Sequence, residues 1–490
     1  MNTSHLLIRL LICLVGLPVF LHGQGWERSY PINQRQAQAA LPTSDGGVLV
    51  LVSPSSGSLA SDLQLIKTDA NGFETWTQSV PTPGSDIAFD MIATPDGGVA
   101  IVGGMSTGPS GFTDASVLKY DAQYNLEWHK TVGLPDKYES GRALLADATG
   151  FWLAGSWGEW PVSGFVTRLD LQGNVVFSTT AGFNYFTVRD MVLLPGGGVK
   201  VLGYGNPLGP GNSSRILTNT YDAAGNLTGQ TEWGTGNNSY SLLDAEPTPD
   251  GGLLLSGRIG FQSFLQKQDA QGNEEWQNVY PQVPSLYLLE TKSKPDGSGY
   301  RLLIKNFTGN DAVGLMDIDL AGQTNWQKNY GGGAWTSTFH MTLLPDNSCL
   351  IAGSYNNAWF TGQDKPYVIK TDPDGNSFYS GVSGKVSFDS TNNCAPGAAL
   401  AGNLIQIESS DDDVFWARSD ANGNYYLPLD SGDYQLKLVE PNPAWVLCQT
   451  VIPTDVMQAD TSNNLDFVLM FQPQALDSVY GYAFYDVDGD

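Results

Sequence analysis

The residues of this 490-residue chain that could do chemistry are unevenly spread. Large aromatics gather in segments with loop-like composition: Trp157 and Trp160 in GSWGEWPVSG, Phe183, Tyr185 and Phe186 in AGFNYF, Trp335 in GGGAWTS, and Trp359 and Phe360 in SYNNAWFTG. An aromatic face held in a loop can stack on a sugar ring or clamp a peptide. The plain alternative is that each ring plugs a gap between neighbouring structural units. At the far end, Asp486, Asp488 and Asp490 alternate as the first three carboxylates of a Ca²⁺ loop do. The later ligands, including the bidentate Glu, are missing, so a surface acidic turn is the expected state and Ca²⁺ the one candidate cofactor.

Nucleophilic and zinc chemistry find little footing. Beyond residue 23 the histidines are His129 and His340, far apart and without a neighbouring Cys or Ser motif, and no GxSxG elbow occurs. The cysteines beyond that point are Cys349, Cys394 and Cys448. Cys349 occupies the place held elsewhere by Val48, Val99, Val199 and Leu253, which marks it as a small buried hydrophobe.

The N-terminus suggests the compartment. Arg9 precedes an apolar run, Leu10 to Leu21, too short and too interrupted for a spanning helix but of signal-peptide length, with cleavage expected near Gly23. Asp plus Glu number 50 against 24 Lys plus Arg, a net charge of −26. That balance repels nucleic acid and anionic lipid. Expected partners are therefore an extracellular glycan or protein, with neither nucleic acid binding nor membrane insertion.

What must position the aromatics is a repeat. Seven times a hydrophobic strand ends in Asp and turns within three or four residues: Asp69 (KTDANG), Asp121 (KYDAQYN), Asp170 (RLDLQGN), Asp222 (TYDAAGN), Asp269 (KQDAQGN), Asp319 (DIDLAGQ) and Asp372 (KTDPDGN), at gaps of 47 to 53. Seven residues after the Asp comes an aromatic: Trp76, Trp128, Phe177, Trp276, Trp326 and Tyr379. The fourth copy alone slips, to Trp233. A second turn interleaves, DGG at Asp45, Asp96 and Asp250, with degraded forms at Ala148, Gly196, Asp296 and Asp346. Both turns place Gly where φ is positive and let Asp bond the backbone two residues on, closing antiparallel hairpins. Two turns and four short strands in about 50 residues make one blade of a β-propeller, so the fold class is all-β, seven blades over residues 24–380.

This pattern resembles secreted bacterial repeats of the delta-60 or PQQ-like propeller type, with a DGG turn, an LxKxDxxGN turn and a following Trp. The resemblance implies architecture rather than activity. Before the first DGG, WERSY (Trp26–Tyr30) is similar to WQNVY (Trp276–Tyr280), which predicts that it pairs with the last blade and closes the ring. In such a blade the A–B and C–D turns share one face, and the aromatic-bearing B–C and D–A loops share the other. Quinoprotein dehydrogenases are also propellers with Trp-bearing blades, but they need a vicinal Cys pair, which is absent here. TDANGFETW is similar to the sialidase Asp-box, with Asp and Gly one residue further apart. The arginines, among them Arg142, Arg168, Arg189, Arg215, Arg258 and Arg301, are spread over several repeats with nothing in the sequence to bring them together.

After residue 381 the period breaks. SDANGNYYLPLDSGDYQL, with Asp420, Gly423, Tyr425, Leu429, Gly432 and Tyr434, resembles the TDxxGxYxxxxLxxGxYxL pattern of carboxypeptidase-regulatory, prealbumin-like β-sandwiches, which implies a module over 381–472 that serves as spacer or stalk. A Cys394–Cys448 disulfide within it would close a 54-residue loop, worth roughly 4 kcal/mol. Within residues 473–490, Gly481 to Tyr485 repeats the opening of that module, and the Asp-rich end resembles the start of an adhesin B-type module. The functional expectation is a secreted or cell-surface binding or adhesion scaffold rather than an enzyme; the alternative is a carbohydrate-active propeller enzyme, glycoside hydrolase or sialidase-like, whose acids could sit among the many carboxylates.

Overall fold

Each Asp-x-x-Gly turn closes its hairpin with the same bonds. Asp69 Oδ1 accepts the N–H groups of Asn71 and Phe73, both at 2.9 Å, and Gly72 adopts φ +82°. Asp170, Asp222, Asp269 and Asp319 repeat this arrangement. At the other turn Asp45 Oδ1 accepts Gly47 N–H, and the buried ammonium of Lys67, on the facing strand, reaches Asp45 at 2.8 Å. Lys119 does the same to Asp96, and Lys267 to Asp250. The lysine two residues before the turn Asp of the repeat therefore ties the two hairpins of one blade together.

The computed structural model describes residues 25–471 except 55–61, 81–85, 107–112, 134–138, 158–162, 185, 208–212, 235, 281–285, 307–311, 331–334, 357–363, 378–380, 411–413, 430–431, 440–444, 457–460 and 463. Its first part is seven four-stranded antiparallel sheets. Blade 1 is Arg35–Pro42, Val48–Pro54, Leu63–Thr68 and Glu74–Val80, strands A to D. Blade 7 supplies Trp335–Leu343, Cys349–Asn356 and Lys365–Lys370, and its fourth strand is Trp26–Ser29, with Trp26 opposite Lys370 and Ser29 opposite Tyr367. The expected closure of the ring by WERSY is found, and the chain is a β-propeller. Neighbouring blades share hydrophobic cores: one cluster joins Leu49 and Leu65 of blade 1 to Met91 and Ile101 of blade 2.

One contact recurs at the outer edge. In every blade but the fourth, the D-strand aromatic lies on the C–D turn of the next. Trp26 Nε1 donates to Ala70 O at 3.0 Å, Trp128 Nε1 to Leu171 O at 3.1 Å and Trp276 Nε1 to Leu320 O at 3.0 Å. The ring covers the turn glycine so closely that a Cβ on Gly72 would stand 2.7 Å from the Trp26 indole; Gly225 meets Phe177, and Gly375 meets Trp326 at 2.3 Å. Where the repeat slips to Trp233, the next turn is bare: nothing lies within 4 Å of a Cβ on Gly272. Trp233 instead packs edge-on against Tyr240, 5.0 Å between centroids.

Beyond the ring lie two facing sheets. Gly381–Asp389 is central in one, pairing with Asn424–Pro428 and, in parallel, with Phe467–Phe471; Leu404–Ser409 and Gly432–Val439 form the middle of the other. Val382, Val386 and Phe467 meet Ile405, Ile407 and Leu436 between them, with Tyr425 and Tyr434 buried in that core, so this part is a β-sandwich. Its late strands, from Trp445–Leu447 to Phe467–Phe471, carry no turn motif and were not legible in the sequence. Cys394 and Cys448 are disulfide-bonded with Cα atoms 5.8 Å apart, and Cys349 is a buried free thiol. The sandwich touches the ring at its seam: the Arg28 guanidinium lies 4.3 Å from the Phe73 ring and 4.0 Å from the Tyr426 ring.

Gly72 and Gly272 share nearly the same φ, +82° and +85°, and differ in the indole above. Gly272→Ala should cost only the left-handed penalty, about 1 kcal/mol. Gly72→Ala should cost roughly 1–3 kcal/mol more, because the added methyl overpacks against Trp26. Urea unfolding of the two variants measures the difference; equal losses would show that the indole does not clamp the turn.

Candidate functional site

The innermost strand of every blade is bulged. The pairing of strands A and B slips by one residue at the same place seven times, between Ala37 and Ala39 in blade 1, Ala88 and Asp90 in blade 2, and so on to Thr338 and His340 in blade 7. A bulge disrupts the ladder locally and re-aims the side chains around it. The extra residues Phe89, Arg142, Arg189, Leu243 and Leu289 consequently line the central channel. Beneath them comes a second ring, Asp90, Asp190, Asp244, Glu290 and His340, and then Glu246 and Lys292. The cavity they enclose is about 480 Å³.

The acids of the second ring stitch blade to blade. Asp190 Oδ2 accepts the N–H of Ala245 in blade 5 at 2.9 Å; Asp244 Oδ2 accepts Thr291 N–H and Oγ1–H in blade 6, at 2.8 and 2.6 Å; Glu290 Oε2 accepts Met341 N–H in blade 7 at 2.5 Å. Glu246 adds a bond from Ser293 N–H at 2.9 Å. Each of these acids thus accepts a main-chain amide of the next blade. Lys292 Nζ sits 2.7 Å from Glu290 Oε1, and His340 Nε2 lies 3.5 Å from Asp90 and 3.8 Å from Glu290.

Crowding so many acids in a narrow lumen moves their titration. Burial pushes Asp90 and Asp244 up; burial, then the charge of Asp244, pushes Asp190 well up. Glu246 is raised to about 7, chiefly by burial. Burial is the largest influence on Glu290 too and opposes its charge, but the Lys292 ammonium, His340 and the hydrogen bonds from Lys292 and Met341 together hold that carboxyl below its usual range. Lys292, although burial opposes its charge, is held well above its usual value by Glu290, Asp244 and Glu246.

A second concavity lies at the loop end of the blade 2–3 seam. Trp157 closes strand Gly150–Trp157 directly opposite Glu139 and walls a cleft of about 210 Å³ with Phe165 and Thr180. Its Nε1 donates to Gly164 O at 3.3 Å and the ring is half-buried. Gly133 sits between two acids: a Cβ there would stand 2.7 Å from Asp114 Oδ1 and 3.0 Å from Glu139 Oε2. A carboxylate pair therefore converges beside the Trp157 cleft.

No protein-family model matches the chain, and no curated protein matches it. Among solved structures it is similar to the Dos1 propeller, at 10% identity over 71% of this chain and 94% of the other, TM-score 0.45. It is also similar to BBS1N in a complex with ARL6DN, at 9% identity over 71% and 98%, TM-score 0.44. A protein of unknown function from Bacteroides caccae aligns at 13% identity over 58% and 94%, TM-score 0.33. Likeness at this level carries no argument about what the chain does.

Of the aromatics singled out in the sequence, Trp157 lies at the loop end, opposite the A–B turn, as strand direction requires. It and Trp335 are strand-terminal residues rather than loop residues, Trp335 opening strand A of blade 7 opposite Asn356, because the hairpin ladder runs further than the Gly-rich composition suggests. Phe183 is also in a strand, Val175–Asn184, and Phe186 is fully buried in the blade 3–4 core, so it is no ligand contact. Trp160, Tyr185, Trp359, Asp486, Asp488 and Asp490 lie outside the described residues. Among the described residues no group of three or more His, Cys, Asp or Glu side chains could hold a metal ion, and no helix is long and apolar enough to cross a membrane. Of the arginines, Arg142 and Arg189 come together, while Arg168 and Arg301 are held in ion pairs with Asp147 and Asp317. Sequence reasoning missed the channel acids, although a signal existed: Asp90, Asp244, Glu290 and His340 all stand six residues before the turn Asp, and Asp190 six before Gly196.

The pH dependence follows from these shifts. Above about pH 4 an unfolded chain releases the protons of its carboxyls, whereas folded Glu246, raised to about 7 by burial, keeps its own until the pH nears that value. The raised acids therefore contribute stability that is present at low pH and lost as pH rises through their folded values, about 7 for Glu246. Glu246→Gln should flatten the fall in melting temperature between pH 5 and 7 and raise it at pH 7. An unchanged slope would show that Glu246 is not held protonated.

Proposed function

We propose that this chain is a secreted or cell-surface binding protein, its propeller a head of the delta-60 or PQQ-like kind and its β-sandwich a carboxypeptidase-regulatory-like stalk, taking a glycan or protein ligand on the loop end of the ring. The leader-like N-terminus, the excess of acid and the disulfide favour an extracellular setting. Variable connections carried on a rigid scaffold are where binding resides. The observation that carries the reading is the Trp157 cleft: an indole left half-buried on the loop end, over a concavity of about 210 Å³, while the channel acids of blades 4 to 6 are committed to holding blades together.

Replacing Trp157 by Ala should weaken binding to the ligand found in a glycan and peptide screen by about 1–3 kcal/mol, the range of an aromatic anchor, with little loss of melting temperature. A lower melting temperature with unchanged affinity in the folded fraction would make Trp157 a seal between blades 2 and 3, where it packs beside Val132 and Phe165.

A second reading, a carbohydrate-active hydrolase, is favoured by the Asp114 and Glu139 carboxyls converging at Gly133 beside that aromatic wall. A retaining glycosidase needs two carboxyls about 5 Å apart flanking a sugar site. Turnover of aryl glycosides by the intact chain, abolished in Glu139→Gln with sugar binding kept, is its expected signature; binding without turnover rejects it.

A further inference from the structure

Two arginines stand side by side at the channel mouth, on blades 3 and 4, in a chain whose acids outnumber its bases by 50 to 24, and among the described residues neither is ion-paired with a carboxylate as Arg168 and Arg301 are. Arg142 makes no hydrogen bond or ion pair among the described residues and lies with its guanidinium 3.8 Å from the Phe89 ring. Arg189, exposed, makes one long hydrogen bond, Nη2 to Tyr204 Oη at 3.5 Å. One carboxylate follows Arg189 and another follows Phe89, the ring under Arg142, yet both are turned to other work. Asp190 follows Arg189 in the chain, but its two oxygens accept the amides of Met191 and Ala245; Asp90 accepts the amide of Met91. The two guanidiniums are close enough that, after burial, the charge of Arg189 is what most disfavours that of Arg142.

Both are the extra residues of bulges and both stand three residues in from the loop end of their strands, Glu139–Asp147 and Phe186–Leu193. The arginines therefore meet anything entering from the loop end before the acid ring does. Leu243 and Leu289 occupy the same level across the lumen. Two unneutralised planar forks facing apolar side chains across a cavity match a ligand with a carboxylate at one end and apolar surface at the other, since guanidinium pairs carboxylate bidentately.

We propose that the loop-end mouth of the channel binds a ligand carboxylate between Arg142 and Arg189. This site is separate from the Trp157 cleft and does not depend on it. A carboxylate of this kind has two sources, an acidic sugar or a peptide C-terminus, and the chemistry of recognition is shared.

The test is calorimetric titration of the full chain with glucuronate and with N-acetylleucine, each beside its neutral amide. At least one acid should bind, at least tenfold more tightly than its amide, and the one that does names the source. Arg189→Gln, at an exposed position, should cut that preference at least tenfold without moving the melting temperature, and Arg142→Gln should do the same. Trp157→Ala should leave the preference intact, which separates this site from the cleft. Neither acid binding above its amide, or a preference that survives both Arg substitutions, overturns the proposal.

Discussion

An indole laid on a turn glycine of the next blade is the contact on which this ring depends. Sheets stacked only through apolar faces could slide or twist past one another, because hydrophobic burial is non-directional. The Trp26, Trp128 and Trp276 N–H groups each donate to one carbonyl in the neighbouring turn, and that bond sets the register between sheets. The glycine answers two demands at once. Its positive φ closes the hairpin, and its missing Cβ admits the ring at a distance no side chain would allow. A tyrosine in blade 2 shows the alternative: Tyr124 keeps φ at +62° and meets Trp76 by a tilted aromatic contact, 5.7 Å between centroids.

Fixing the outer rim fixes the inner one. With the D strands clamped, the seven A strands converge on the axis, and the bulges bring the extra side chains of blades 2 to 6 to the lumen and the amides of Ala245, Thr291 and Met341 within reach of the preceding blade. Those amides need acceptors, since a buried polar group without one is costly. The preceding blade supplies them as Asp190, Asp244 and Glu290. The channel acids thus follow from the bulges, and their raised titration follows from being packed in the lumen to serve that purpose. Lys292 sits among Glu290, Asp244 and Glu246 as the local counter-charge.

What was legible in the sequence was whatever is decided within a few residues. The Asp and Gly of the turns, the aromatic seven residues later at Trp76, Trp128, Phe177, Trp276 and Trp326, and Cys349 at the start of a B strand all follow from local hairpin chemistry, and each is where that chemistry puts it; Tyr379 lies outside the described residues. Ring closure by WERSY was legible because Trp26 and Tyr30 copy the spacing of a D strand, and both repeat its clamp; Tyr30 Oη donates to Gly72 O as Tyr330 Oη donates to Gly375 O. The bulges were not legible, because Phe89, Arg142 and Leu243 share no residue type and, within the A strands, a glycine stands at the slip in blade 3 alone, as Gly141. Arg142 and Arg189 meet only because seven strands share an axis, a fact held in no single repeat. The late sandwich strands escaped for a related reason: Phe467–Phe471 is ordered by a parallel partner some 80 residues earlier in the chain, not by a turn beside it.

The ring's one weak point is its seam, where a four-residue strand must hold together two ends of the chain more than 330 residues apart. That strand is held from both flanks. On one side Trp26 clamps the blade 1 turn; on the other Arg28 is stacked between Phe73 of the same turn and Tyr426 of the sandwich, whose rings also meet edge to face at 5.1 Å. A partly exposed guanidinium on an aromatic face is worth about 1 kcal/mol. The sandwich therefore bears on the closing strand itself, and pulling it away from the ring would strip one flank from the seam. Ring and sandwich are in this sense mechanically joined, and a force applied to the sandwich reaches the propeller first at the place where its ring is closed.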